Sequence, residues 1–396
     1  MNAVRNAKIE PYTAISIGGR NNIELLDFLI EEDSNLTPRK VDKSIVIYGG
    51  GKLGEMAKSF FDQLNIKVSY LVDQHAEDLQ NKDVWKDISV NPPADVPSFV
   101  KENMLLVVCI VTVPLIPLKE DLQKAGWMDV AFFYDVCEAY RGHYPLNNGW
   151  MKPTLSKNDQ DNIKRVFSTL DFESQRHYLQ FIAWRKHRLE LAGESSRINI
   201  HNRFFIPEIE SVFTNNECFF DAGAHVGTVI DTFTKLVDGS FRTIIAVEPD
   251  IENLKALRQK VAQLHSSRIS DCALGERNTT GEFEHGYGFS SQLSEGSRTF
   301  VTVKTIDSFK ENITFLKLHL EGAELGALKG ATKTIAQHRP IIAVTVYHND
   351  EGLWEIPKFI MNLVTDYCFL FRVHCWAGTG AVFYAIPNER KKSLIN

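Results

Sequence analysis

The stretch CFFDAGAHVGTVIDTF, residues 218–233, decides how this chain is read. An apolar run ends at Asp221, and Gly223, Ala224, His225 and Gly227 then lead into apolar positions with helical spacing. A strand that turns through glycines into a helix lets a ligand approach the backbone and points amides at it. Here a carboxylate precedes the glycines, so the pattern is D-x-G-x-x-x-G and not the G-x-G-x-x-G of pyrophosphate-binding turns. A carboxylate at that place suits a ligand bearing positive charge and would repel a pyrophosphate.

The neighbouring segments extend the pattern. TIIAVEPD, residues 243–250, reads as the next strand. It ends in Glu248 and Pro249, where an acidic side chain can accept hydrogen bonds from both ribose hydroxyls. An acidic residue before the glycines and another after the second strand point to S-adenosylmethionine, whose ammonium and sulfonium are both cationic. Asn253, in the following helix, is placed to reach the ribose or to be an ordinary helix residue. Asp271 and Cys272 follow the third strand, where a carboxylate can accept from an adenine amine and a thiol can pack on the ring; a plain loop role is the alternative.

TIDSFKENITFLKLHLEGAELGALKGA, residues 305–331, leads into RPIIAVTVYH, residues 339–348. With DAGAHVG, VEP, KLHLEGAE, LKGA and RP in that order, the chain from Arg203 to Pro387 resembles the FkbM family of methyltransferases. The resemblance implies a class I methyltransferase fold, S-adenosylmethionine as cofactor, and O-methylation of a hydroxyl on a sugar or related natural product. Two positions depart from the family pattern: His225 stands where asparagine is usual, and His319 where aspartate is usual. Lys317, His319 and Glu321 alternate, so on one strand they would share a face at the edge where open α/β sheets bind ligands. His319 or Glu321 is the expected base with Lys317 as electrostatic partner; the alternative is that His319 only packs or positions substrate. Glu324 is expected simply to begin the next helix. HGYGFSSQLSEGS, residues 285–297, has room to be a substrate loop or a plain connection.

A second glycine turn lies upstream. VIYGGGKLGEMAKSF, residues 46–60, holds Gly49, Gly51 and Gly54 in G-x-G-x-x-G spacing, and Asp73 follows the next strand. That context fits a dinucleotide fingerprint. No separate catalytic dehydrogenase partner accompanies it, so an accessory Rossmann-like module is the plainer reading, with a second nucleotide site as the alternative.

The expected fold is therefore α/β, with two Rossmann-like units. An accessory unit spans residues 1–144, a helical linker 145–215, and a methyltransferase unit with a mostly parallel sheet and an antiparallel edge 216–396. In the linker, Asn158 is read as a helix N-cap and WRKHR, residues 184–188, as a solvated helix face.

With 396 residues, 44% hydrophobic and a net charge of −6, the chain has apolar mass for two cores and no basic tract for nucleic acid. The longest apolar run, Met104 to Leu118, is too short to span a bilayer, and the N-terminus lacks a signal-peptide core. Six scattered cysteines suit a reduced, cytoplasmic protein, and no metal site is expected because no histidines share ligand spacing on a helix. The acceptor is expected to be a small molecule or glycan. The competing readings are an NAD-dependent sugar-modifying oxidoreductase, or a bifunctional enzyme, working through the upstream turn, and a non-catalytic nucleotide-binding protein.

Overall fold

A computed structural model describes residues 9–16, 21–143, 146, 150–192, 197–284, 292–293 and 300–392. The chain forms two compact units. One comprises Met1–Leu155, Leu179–Arg197 and Cys375–Thr379; the other comprises Ser156–Tyr178, Ile198–His374 and Gly380–Asn396.

In the first unit the apolar runs become β1 (Ile45–Tyr48), β2 (Val68–Val72), β3 (Ser89–Asn91), β4 (Leu105–Val108) and β5 (Val130–Phe132). They form an all-parallel sheet in the order β3-β2-β1-β4-β5. Helix α1 (Lys52–Gln63) follows β1, and α2 (Leu115–Lys124) follows β4. The strand order reverses between β1 and β4, the position where open α/β sheets bind ligands. Elements without a strong periodic signal escape the sequence reading: helix Asn22–Glu31, the short β3, and a parallel pair of strands, Thr13–Ser16 with Leu189–Ala192.

WRKHR is not a solvated face. Arg185, Lys186, His187 and Arg188 are all buried. The interior supplies acceptors for each: Arg185 donates to Gly378 O, Lys186 to Glu32 O, and His187 Nε2 meets Leu29 O at 2.8 Å. Arg188 Nε donates to Asp135 Oδ1 at 2.7 Å, and Trp150 Nε1 donates to the same oxygen. Charge runs read as exposed when their partners are distant in sequence, as these are.

In the second unit the strands are β6 (Cys218–Ala222), β7 (Thr243–Val247), β8 (Ser267–Ser270), β9 (Phe315–Leu318), β10 (Ile341–Thr345), β11 (Tyr367–Val373) and β12 (Ala381–Pro387). Their order is β8-β7-β6-β9-β10-β12-β11. All run parallel except β12, which pairs antiparallel with β10 and β11 and makes the expected antiparallel edge a hairpin. Helices α3 (Thr228–Leu236), α4 (Ile251–Val261), α5 (Glu324–Lys329) and α6 (Gly352–Leu363) connect them. Phe219 on β6 stacks on Phe315 of β9 at 4.9 Å between centroids and meets Phe233 of α3 at 4.7 Å. This aromatic contact pins the glycine turn's strand and helix together.

Two sequence expectations shift. Phe300–Lys304 joins a separate four-stranded sheet with Ala273–Leu274, Thr279–Glu284 and Gln292–Leu293, and not the main sheet. Helix Lys157–Ser168 is capped by Ser156, whose hydroxyl accepts from Asp159 N at 3.1 Å, two residues earlier than Asn158. The stretch 285–297 lies outside the described residues apart from Gln292–Leu293. Among the described residues no helix is long and apolar enough to cross a membrane.

Candidate active site

The glycine turn leaves β6 at the point where the strand order reverses. Gly223 has φ +77, and a Cβ there would sit 2.0 Å from His319 O, so only glycine allows the turn to lie against the end of β9. His225 takes φ +50 and Gly227 φ +82. Gly227 precedes α3 and offers no side-chain cap to that helix's first amides. Gly223 N and Ala224 N both donate to Val247 O at 3.0 Å, tying the turn to β7.

Glu248 completes the frame. Its carboxylate accepts from His225 N at 2.8 Å, Asp250 N at 3.0 Å and Asn253 Nδ2 at 3.3 Å. A carboxylate has about four acceptor positions, so capacity for a ligand hydroxyl remains. Burial raises the Glu248 pKa, and these three donors oppose that rise. Pro249 follows directly, and Asp250 caps α4 by accepting from Glu252 N and Asn253 N. Asp271 is exposed, whereas Cys272 is buried with its thiol 3.3 Å from Ser270 Oγ.

Asp221 does not present its charge to a ligand. It is fully buried and ion-paired with Lys317 Nζ at 2.8 Å, the two residues being register partners on β6 and β9. Lys317 also donates to Gly223 O at 2.7 Å. Strand β9 stops at Leu318, and Glu321 has φ +49, so the alternation that was to gather Lys317, His319 and Glu321 ends before Glu321. Lys317 holds the turn from below, while His319 and Glu321 meet each other.

Their meeting is part of a larger cluster. His319 Nε2 lies 3.0 Å from Glu321 Oε1 and 3.2 Å from Tyr347 Oη. Arg203 donates to Tyr347 Oη at 2.7 Å. His348, three residues past the end of β10, stacks on His319 at 5.1 Å, and its Nε2 is 3.4 Å from Glu321 Oε1. Its Nδ1 is 2.6 Å from Glu324 Oε1. Glu324 begins α5, as expected, but its carboxylate also accepts from Leu320 N, Gly322 N and Thr345 Oγ1. Burial, then the Arg203 guanidinium, pushes the His319 pKa down to about 3. Burial opposes charge on His348 as well, but Glu321 and Glu324 raise its pKa well above the ordinary imidazole value. Burial raises both carboxylates and His348 overcomes it, holding Glu324 down to about 2 and Glu321 lower still. Tyr347, His348 and Arg203 carry no local motif. The usable signal was the rule that side chains past the carboxyl end of the next strand face the same crevice.

In the first unit, Gly50 N donates to Asp73 Oδ2 at 2.7 Å, and a Cβ on Gly54 would sit 2.1 Å from Gly49 O. Gly51 faces open space, with nothing within 4 Å of its would-be Cβ.

Residues 221–371 match the family model of the methyltransferase FkbM domain. The crystal structure of a methyltransferase FkbM from Methylobacillus flagellatus KT superposes with a TM-score of 0.59 over 92% of this chain and 93% of that one, at 15% identity. At that identity the likeness establishes a shared fold. No curated protein matches the chain.

Proposed function

For a methyltransferase that carries an FkbM domain, we propose S-adenosylmethionine as methyl donor and a hydroxyl of a sugar or related small molecule as acceptor. The observation that carries this reading is the joint placement of the Gly223 turn, the Glu248 carboxylate and the His319 cluster around the strand-order reversal between β6 and β9. Glu248 suits the ribose, and the uncapped start of α3 suits the donor's carboxylate. The sulfonium is already activated, so alignment of the acceptor oxygen with the methyl carbon supplies most of the rate. His319 and Glu321 pair beyond the carboxyl end of β9, the edge at which an open α/β sheet would hold the acceptor hydroxyl. The six cysteines, none in a disulfide, suit a reducing compartment such as the cytoplasm.

Calorimetric titration with S-adenosylhomocysteine and with NAD, followed by a methyl-transfer screen against sugar hydroxyls, tests the reading. Binding of the former and transfer abolished in His319→Asn are expected. Binding of NAD alone would replace this reading with the oxidoreductase.

A further inference from the structure

We propose that His319, Glu321 and His348 bind one divalent first-row transition-metal ion at the carboxyl ends of β9 and β10. The ligand atoms of these residues all lie within 4.8 Å of one another. Glu321 Oε1 is 3.0 Å from His319 Nε2 and 3.4 Å from His348 Nε2. Metal bonds of about 2.1 Å place neighbouring ligands about 3.0 Å apart at right angles and about 3.4 Å apart at tetrahedral angles. The two separations from Glu321 match edges of one coordination polyhedron.

His348 supplies the second, independent observation. The residue is 2% exposed, yet its Nε2 makes no hydrogen bond and has only the 3.4 Å approach of Glu321 Oε1, an expensive state for a buried nitrogen. Its Nδ1 faces Glu324, which is itself fixed by two backbone amides and Thr345. A carboxylate behind an imidazole keeps the ring proton on Nδ1 and turns the Nε2 lone pair forward, the arrangement found behind metal-bound histidines.

Two imidazoles and one carboxylate favour manganese, iron, cobalt or zinc over magnesium or calcium, which prefer all-oxygen sets. Three protein ligands leave positions for an oxygen ligand. The role of the ion rests on the methyl-transfer reading; its binding does not. As a further ligand, the acceptor hydroxyl would lose its proton to solvent more readily. The oxygen then bonds the methyl carbon, and the carbon–sulfur bond breaks with its electron pair passing to sulfur. The sequence reading expected no metal because these ligands sit at 319, 321 and 348 on two strand ends, a spacing that no local pattern reveals.

The test uses the full-length protein, stripped with a chelator and titrated with Co²⁺ and with Zn²⁺ by calorimetry, with the visible spectrum recorded for Co²⁺. About one equivalent with cobalt d–d bands is expected. His319→Asn and His348→Gln should each weaken binding roughly tenfold or more. Melting curves in metal-free buffer establish which variants are folded, and the His319 position, less buried than His348, serves if His348→Gln is not. No stoichiometric binding by the wild type, or unchanged affinity in the folded variants, overturns the site. S-adenosylhomocysteine titrated into the same samples keeps the two claims apart. Nucleoside binding without metal binding removes the ion and leaves methyl transfer standing, whereas metal binding without the nucleoside removes methyl transfer and leaves the ion.

Discussion

The two units repeat one device and differ in what surrounds it. In each, a central parallel strand runs into a glycine turn, and an acidic residue at the end of the next strand accepts a turn amide: Asp73 from Gly50 N, Glu248 from His225 N. In each, a glycine is pressed against the end of the strand across the order reversal, Gly49 against Ile110 and Cys109 O, Gly223 against His319 O. The residues past that strand then diverge. After β4 come Cys109, Ile110 and Val111, which offer no imidazole or carboxylate; after β9 come His319, Glu321 and Glu324. Both units also bury a carboxylate on backbone amides near the helix that follows. Glu324 has His348 as a cationic neighbour and is held ionised. Glu190, accepting from Leu115 N at 2.5 Å and Ile116 N at 3.2 Å, is pushed up to about 7 by burial, with the two amides opposing. A nucleotide-shaped frame is thus separable from chemistry, and a nearby cation decides which buried carboxylate stays charged.

The largest effect should come from removing that chemistry. Glu321→Gln is expected to lower methyl transfer by about 10²–10⁴-fold, with S-adenosylhomocysteine affinity retained by calorimetry. A wild-type rate would make the end of β9 as inert as that of β4.

Next comes the pH response of the first unit. Glu190 has a folded pKa near 7, above its ordinary 4.5, so the folded state holds its proton more tightly. Its protonation favours folding below about pH 4.5, and that contribution fades as pH rises through about 7, by a few kcal/mol at most at about 1.4 kcal/mol per pH unit. Melting curves from pH 5 to 8 should show this slope in the wild type and a shallower one in Glu190→Gln; parallel curves would mean that the two amides keep Glu190 ionised.

A third test sets the two acidic residues side by side. Glu248→Ala should cost about 1.5–3 kcal/mol in S-adenosylhomocysteine binding, while Asp73→Ala leaves that affinity where it was. Equal losses would erase the distinction between the turns.

The smallest effects concern the glycines of the first turn. Gly54→Ala, whose Cβ would meet Gly49 O at 2.1 Å, should destabilise by about 1–3 kcal/mol in urea melts. Gly51→Val should leave methyl transfer unchanged, since that position faces open space. A lost rate in folded Gly51→Val would give the first turn a part in catalysis.

The alternation of apolar strands and helices made both sheets legible, because β1 and β4 are continuous apolar runs and β6 and β10 are apolar up to their last residues. The glycine turns and Glu248 were legible for the same reason: their function is local, and local spacing records it. What escaped depends on distant partners. Arg188 looks like surface charge until Asp135 lies beside it, Asp221 looks like a ligand contact until Lys317 neutralises it, and His348 is one more strand-end residue until Glu321 and Glu324 flank it. Helix α6 was missed because its six buried residues include Pro357, which reads as a break.

The Glu324 carboxylate has one more consequence. Helix α5 is six residues long, too short to hold itself together in water, and the loop before it has its amides at Leu320 and Gly322 bonded to that side chain and not to a neighbouring strand. Those two protons therefore exchange with solvent only when the carboxylate lets go, and the carboxylate is gripped by β10 through Thr345 and by His348 beyond it. Amide exchange at two loop positions becomes a clock for the integrity of the crevice floor, readable in the resting protein with no substrate in hand.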